Sequence, residues 1–244
     1  MSRRALISLG LAFFLLTVLL RLPAAWVSSR LPAAVQCEFP AGTVWNGSCG
    51  QLRVAAVSLS EPHWQLLPLQ MLRLRFALRV TCNDPRATGT ADLALGFGHA
   101  LFLRNVAVDL PVDGGIVPWF PDGWSGQLHI DLASADLQGG RLNAARGTLT
   151  ARSLRGANGQ SELGSYALKF LEPGPDGQIR AELKDLGGPL QLQGTLQLRR
   201  DGNYELNGHV MARTEASDDL QHWMEMLGPP DPAGMRPFSL GGVL

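Results

Sequence analysis

From residue 50 onward, apolar and polar side chains alternate with a period of two, the spacing that sends successive residues to opposite faces of a strand. In Gln127-Leu128-His129-Ile130-Asp131-Leu132 every even position is apolar, and Gln191-Leu192-Gln193-Gly194-Thr195-Leu196-Gln197-Leu198 repeats the pattern. Similar runs at 54–59, 72–80, 91–97, 105–110, 146–154, 165–171, 178–183 and 204–211 predict about ten strands with one wet face each. Short connections separate them, among them Asn83-Asp84-Pro85, Asp113-Gly114-Gly115, Gln138-Gly139-Gly140, Pro173-Gly174-Pro175-Asp176-Gly177 and Arg200-Asp201-Gly202-Asn203. Connections with this turn chemistry predict an antiparallel meander.

Helical periodicity is scarce. Residues 218–227 carry it, with Ser217 as cap, Leu220, Trp223, Met224 and Leu227 on one face, and Gly228-Pro229-Pro230 as the stop. A second short helix is expected at 68–72 or 116–120. Gly89, Gly126, Gly147, Gly188, Gly194 and Gly208 interrupt the alternation and predict bulges or bends that curve the sheet. The fold expected is mainly β: one curved, mostly antiparallel meander sheet with few short helices. Its apolar face, with Leu128, Ile130, Leu132, Leu192, Leu196 and Leu198, needs covering by another layer, a partner or lipid.

The first residues follow another pattern. Residues 5–20 carry no charge, Arg3 and Arg4 precede them, and apolar character resumes after Arg21 through Leu22-Pro23-Ala24-Ala25-Trp26-Val27. One helix over 5–27 would be roughly 34 Å long and would cross a ~30 Å hydrocarbon core, with Arg21 reaching the head groups and Trp26 in the interface. Small residues suited to signal cleavage are poorly placed after it, which favours an uncleaved anchor. The expected division is an anchor over 1–27 with a cytoplasmic head and an exported β domain over 28–244.

Charge and catalytic motifs narrow the function classes. Lys and Arg number 21 and Asp and Glu 21, so the net charge is zero, and the one dense basic cluster is Arg199-Arg200 with Lys184 upstream. A nucleic-acid partner is therefore not expected. Gly123-Trp124-Ser125-Gly126 lacks the spacing of a nucleophile elbow. His63, His99, His129, His209 and His222 form no paired metal-binding spacing, and no glycine-rich phosphate loop is present. Asn46-Gly47-Ser48 is read as turn chemistry. The expectation is a protein without catalytic residues, metal, cofactor or small-molecule substrate, with a periplasmic hydrolase as the residual alternative. Of Cys37, Cys49 and Cys82, the first two bracket a Pro- and Gly-containing segment suited to a hairpin. A Cys37–Cys49 bridge with Cys82 free would contribute about 3 kcal/mol or less; three buried thiols is the other reading.

Four ordered pieces then stand out. They are Ala41-Gly42-Thr43-Val44-Trp45-Asn46-Gly47, Trp64-x-Leu66-x-Pro68-Leu69, Leu163-Gly164-x-Tyr166 and Gly187-Gly188-Pro189-Leu190-x-Leu192-x-Gly194. With the anchor, the set resembles the N protein of type II secretion systems (general secretion pathway protein N) over nearly the whole chain. The resemblance implies a single-pass inner-membrane protein of Gram-negative bacteria. Its periplasmic domain would serve other type II secretion components in exporting folded proteins across the outer membrane, without enzymatic activity. Cys37 and Cys49, which flank the Val44-Trp45 motif, depart from the family pattern and suggest a subgroup with an added staple. The motif residues also have structural readings: Trp45 and Trp64 as core anchors, and Gly187-Gly188-Pro189 as a bend entering a strand. Two contact modes follow. A partner strand could add to a sheet edge such as 238–244, or the apolar face could hold lipid, as in AsmA-like periplasmic grooves.

Overall fold

The computed structural model describes residues 3–28, 35–54, 57–67, 76–84, 87–96, 98, 100–112, 123–156, 161–172, 174 and 176–243. Among these residues a 14-stranded antiparallel sheet dominates. Its strands are β1 (Val35–Gly42), β2 (Asn46–Val54), β3 (Val57–Ser60), β4 (His63–Leu66), β5 (Phe76–Asp84), β6 (Ala87–Leu95), β7 (Ala100–Val112), β8 (Ser125–Gln138), β9 (Arg141–Arg155), β10 (Glu162–Phe170), β11 (Ile179–Gly187), β12 (Leu190–Leu198), β13 (Asn203–Ala212) and β14 (Arg236–Val243). The helices are α1 (Arg3–Leu20), α2 (Ala25–Ser28) and α3 (Asp218–Glu225). From β4 to β14 the strands lie side by side in chain order, which is the meander the turn chemistry predicts.

The start of the sheet is more elaborate than the alternation indicates. One side of β2 pairs with β1; the other pairs with β3 along Gln51–Val54 and with β4 along Asn46–Ser48. The strand expected at 54–59 is therefore the meeting point of β2 and β3, where Val54 pairs with Val57. The apolar run Val54-Ala55-Ala56-Val57 has no period of two, and that break marks the reversal. The short helices expected at 68–72 or 116–120 lie outside the described residues. The helix expected at 218–227 forms as the shorter α3, with Leu220 and Met224 buried as expected, whereas Trp223 is exposed, Leu227 lies past its end and Ser217 makes no side-chain cap hydrogen bond.

The single helix expected over 5–27 does not form. α1 stops at Leu20, Pro23 forms a bridge with Thr43, and α2 restarts at Ala25. Proline offers no backbone N–H and disfavours helical geometry in the residue before it, so Leu22-Pro23 is where the helix must break. Among the described residues no helix is long and apolar enough to cross a membrane.

Longer strands keep their apolar residues on one side by means of bulges. Along β7, Leu101 and Leu103 stand opposite Leu137 and Ala135, and after Asn105 the apolar set moves to Val106, Val108 and Leu110, opposite Leu132, Ile130 and Leu128. Asn105 has φ 48°, in the left-handed region, and adds one residue that returns the pattern to the same face. Ser153 (φ 49°) does the same on β9, between Ala151 and Leu154. Gly147 allows a close crossing: a Cβ there would sit 2.2 Å from the carbonyl oxygen of Asp131 and 2.6 Å from the Cα of Leu132, at φ 137°. Gly147→Val is accordingly expected to destabilise the domain by about 2 kcal/mol or more. Urea melts read by circular dichroism check this against Thr148→Val, which should cost about 0.5 kcal/mol or less.

Candidate functional site

The register assembles one continuous apolar face. Leu128, Ile130 and Leu132 stand opposite Leu110, Val108 and Val106 on β7 and opposite Ala151, Leu149 and Gly147 on β9. Leu149 pairs with Leu168, which pairs with Leu183. Farther on, Leu192, Leu196 and Leu198 stand opposite Val210, Leu206 and Tyr204. The six leucine and isoleucine positions singled out from the alternation thus share one surface. Val112, Leu128 and Leu154 are buried where β7 and β9 end and β8 begins, packed by Ile130, Leu149, Ala151, Leu163 and Tyr166. Among the described residues no second layer crosses this face. α3 and the segment after it lie on the other side, where Gln193 Nε2 approaches Met235 Sδ at 3.6 Å.

That other side is polar and laced by cross-strand charge pairs. Arg79 donates to both carboxylate oxygens of Asp92 at 2.6 and 3.0 Å, which holds Asp92 below the usual carboxylate range; partial burial opposes this and Asn105 assists it. Arg104 reaches Asp136 at 2.5 Å, and His129 lies 2.7 Å from Asp109. Among the described residues no three His, Cys, Asp or Glu side chains gather as a metal would require.

The motif residues collect into two knots. In the first, the β1–β2 turn grips the end of α1: Trp45 Nε1 donates to the Leu19 carbonyl at 2.9 Å, Val44 N to Leu22 O at 2.9 Å, and Ala24 N to Gly42 O at 3.1 Å. Trp64 Nε1 donates to Val44 O at 3.2 Å, and its ring lies so close to Gly47 that a Cβ there would be 2.5 Å from it. Cys37 and Cys49 are joined in a disulfide across β1 and β2, with Cα atoms 5.6 Å apart, while Cys82 is a buried free thiol. A cavity of about 260 Å³ opens here, lined by Ala24, Leu52, Trp64, Leu66, Leu78, Val80 and others. Pro68 lies outside the described residues.

The second knot joins β10 to the β11–β12 turn. A Cβ on Gly188 would fall 2.4 Å from the Cα of Gly164, so two glycines let the backbones touch. The Tyr166 hydroxyl donates to Leu163 O, and Asp185 caps the Gly187 N–H at 2.7 Å. Arg213 pairs with Asp185 and donates to Gly188 O at 2.6 Å. Burial, helped by the Asp185 charge and opposed by Arg213, pushes the Tyr166 phenol up to about 12. Pro189 follows the crossing and is buried, at the entry to β12. Gly194 stands apart from this knot, opposite Gly208. The Asp185–Arg213 pair had no sequence signal, because 28 residues separate two charges with no local motif.

The geometry defines a single-sheet β protein with a polar back, an open apolar face and a knot that ties the sheet to an apolar helix. Comparisons with known proteins give the family. The family described as "Type II secretion system (T2SS), protein N" matches residues 33–239. A type II secretion system protein N from Aeromonas hydrophila is 28% identical over 258 residues, covering 99% of each chain. One from Pectobacterium carotovorum subsp. carotovorum is 23% identical, covering 88% of this chain and 86% of its own. No solved structure matches. The chain belongs to the type II secretion system protein N family and is a component of type II secretion.

Tyr166 gives this site a pH signature. Its folded-state pKa lies above the unfolded value of about 10, so its contribution to stability is complete below pH 10 and is lost as the pH rises through about 12. Spectrophotometric titration should show one of the two tyrosines ionising late, and Tyr166→Phe should remove that late step.

Proposed function

We propose that this chain is a non-catalytic accessory component of type II secretion, held at the inner membrane by α1 with its β domain in the periplasm, and that it acts by protein–protein contact. The observation that carries the reading is the family match over 33–239. For the anchor, support comes from α1 itself: large apolar side chains from Leu6 to Leu20 are 48–71% exposed, all round the helix, which is the surface of a helix that needs lipid or a partner. α1 alone is about 27 Å long, short of a ~30 Å core, so the reading needs its flanks. Arg3 and Arg4 are its first two residues and Arg21 follows it, and an arginine side chain is long enough to reach head groups.

For the contact mode, β14 is the last strand of the sheet and its outer edge has no partner strand among the described residues. Leu240 and Val243 on it are 57% and 71% exposed. A strand from another secretion component could add there, with backbone hydrogen bonds giving affinity. Leu240→Lys and Val243→Lys together should leave the melting curve unchanged within about 0.5 kcal/mol while a folded exoenzyme builds up in the periplasm. Unimpaired export would count against the edge as the contact site.

A second reading, lipid binding on the apolar face, is favoured by the continuous apolar row from Leu128 to Leu206. Deleting the gene separates the two: periplasmic exoenzyme with an intact outer-membrane barrier supports secretion by contact, whereas normal export with a detergent-sensitive barrier supports lipid traffic.

A further inference from the structure

We propose that the cavity at the foot of the sheet receives an acyl chain of a membrane lipid, so that the apolar face is loaded from the bilayer side; this rests on the lipid-binding reading above. The chemistry of the lining selects the occupant. All the residues around the cavity are apolar or belong to the disulfide, and the one indole N–H among them, that of Trp64, is directed to Val44 O. A peptide entering would carry backbone N–H and C=O groups past walls that offer no partner, at a cost of a few kcal/mol for each group left unpaired. A lipid head group meets the same penalty. Hydrocarbon does not, and size permits it: a dry apolar cavity of ~150 Å³ already binds benzene, and this one holds about 260 Å³.

The position of the cavity names the source. Ala24 in its wall follows the end of α1 by four residues, and three hydrogen bonds, Trp45 to Leu19, Val44 to Leu22 and Ala24 to Gly42, fix that helix end to the lip of the β1–β2 turn. The exposed apolar surface of α1 therefore runs up to the mouth of the cavity. On the inner side, Leu78 and Val80 pair with Leu93 and Ala91 of β6, and Leu93 pairs with Leu103 of β7. A chain entering at α1 passes onto the apolar row without crossing a polar strip.

The test uses the full chain in mixed micelles with phosphatidylethanolamine bearing a photoactivatable diazirine on one acyl chain, followed by peptide mapping of the cross-links. Micelles deliver the probe whether or not α1 is a membrane anchor. The expected result is cross-links on peptides containing Leu52, Trp64 or Leu78, reduced about tenfold by Leu78→Trp, which fills the space. Links confined to α1, or undiminished in a folded Leu78→Trp protein, overturn the proposal. If that variant does not fold, the wild-type map decides alone: cross-links at the cavity and on the row support the proposal, and their absence from the cavity overturns it. Links on the row around Leu192 and Leu196 with none at the cavity overturn this entry route and leave the lipid-binding reading standing. Links at the cavity with none on the row overturn the proposal as a loading route, together with the wider reading.

Discussion

Everything in this molecule follows from one constraint: a single sheet has two faces, and here one of them is apolar, with no second layer over it among the described residues. Most β proteins meet that demand by closing into a barrel or packing sheet on sheet. In this chain Val112, Leu128 and Leu154 are buried, with Ile130, Leu149, Ala151, Leu163 and Tyr166 packed against them from the same and neighbouring strands. The other leucines along the row, Leu132, Leu192, Leu196 and Leu206, remain partly exposed.

Curvature and facing depend in turn on irregularity. A strand of fifteen residues such as β9 accumulates twist, and bulges release it while holding the apolar set on one side. Asn105 and Ser153 in left-handed geometry, and Gly147 at its close crossing, are the points where this is done. The two motif knots belong to the same economy. One pins the sheet to α1 through Trp45 and Trp64; the other lets β10 and the β11–β12 turn touch through Gly164 and Gly188. These side chains read most directly as architecture that positions the open face.

Much of this was legible in the alternation. Leu128, Ile130 and Leu132 and the set at Leu192 to Leu198 declared their shared face, because a period of two has one physical meaning in an antiparallel meander. The β1–β2 hairpin was legible from the Pro- and Gly-containing segment between Cys37 and Cys49, whose bridge joins the two strands, whereas β3 and β4 were not, each being four residues long and too short to show a period. The apolar run at the N-terminus predicted a helix correctly but extended it through Pro23, whose lost N–H outweighs the hydrophobicity on either side. The pairing of Asp185 with Arg213 was out of reach for another reason, since it exists only once β11 and the end of β13 have been brought together.

The meander order has a consequence for scale. Because each strand packs mainly on the one before and the one after, the sheet behaves as a one-dimensional stack, in which interface energies add along the line and no closure condition fixes the number of strands. At about 4.8 Å per strand, every hairpin gained or lost changes the width of the sheet, followed along its curve, by about 10 Å. A sheet built this way can gain or lose hairpins at little cost to the strands that remain.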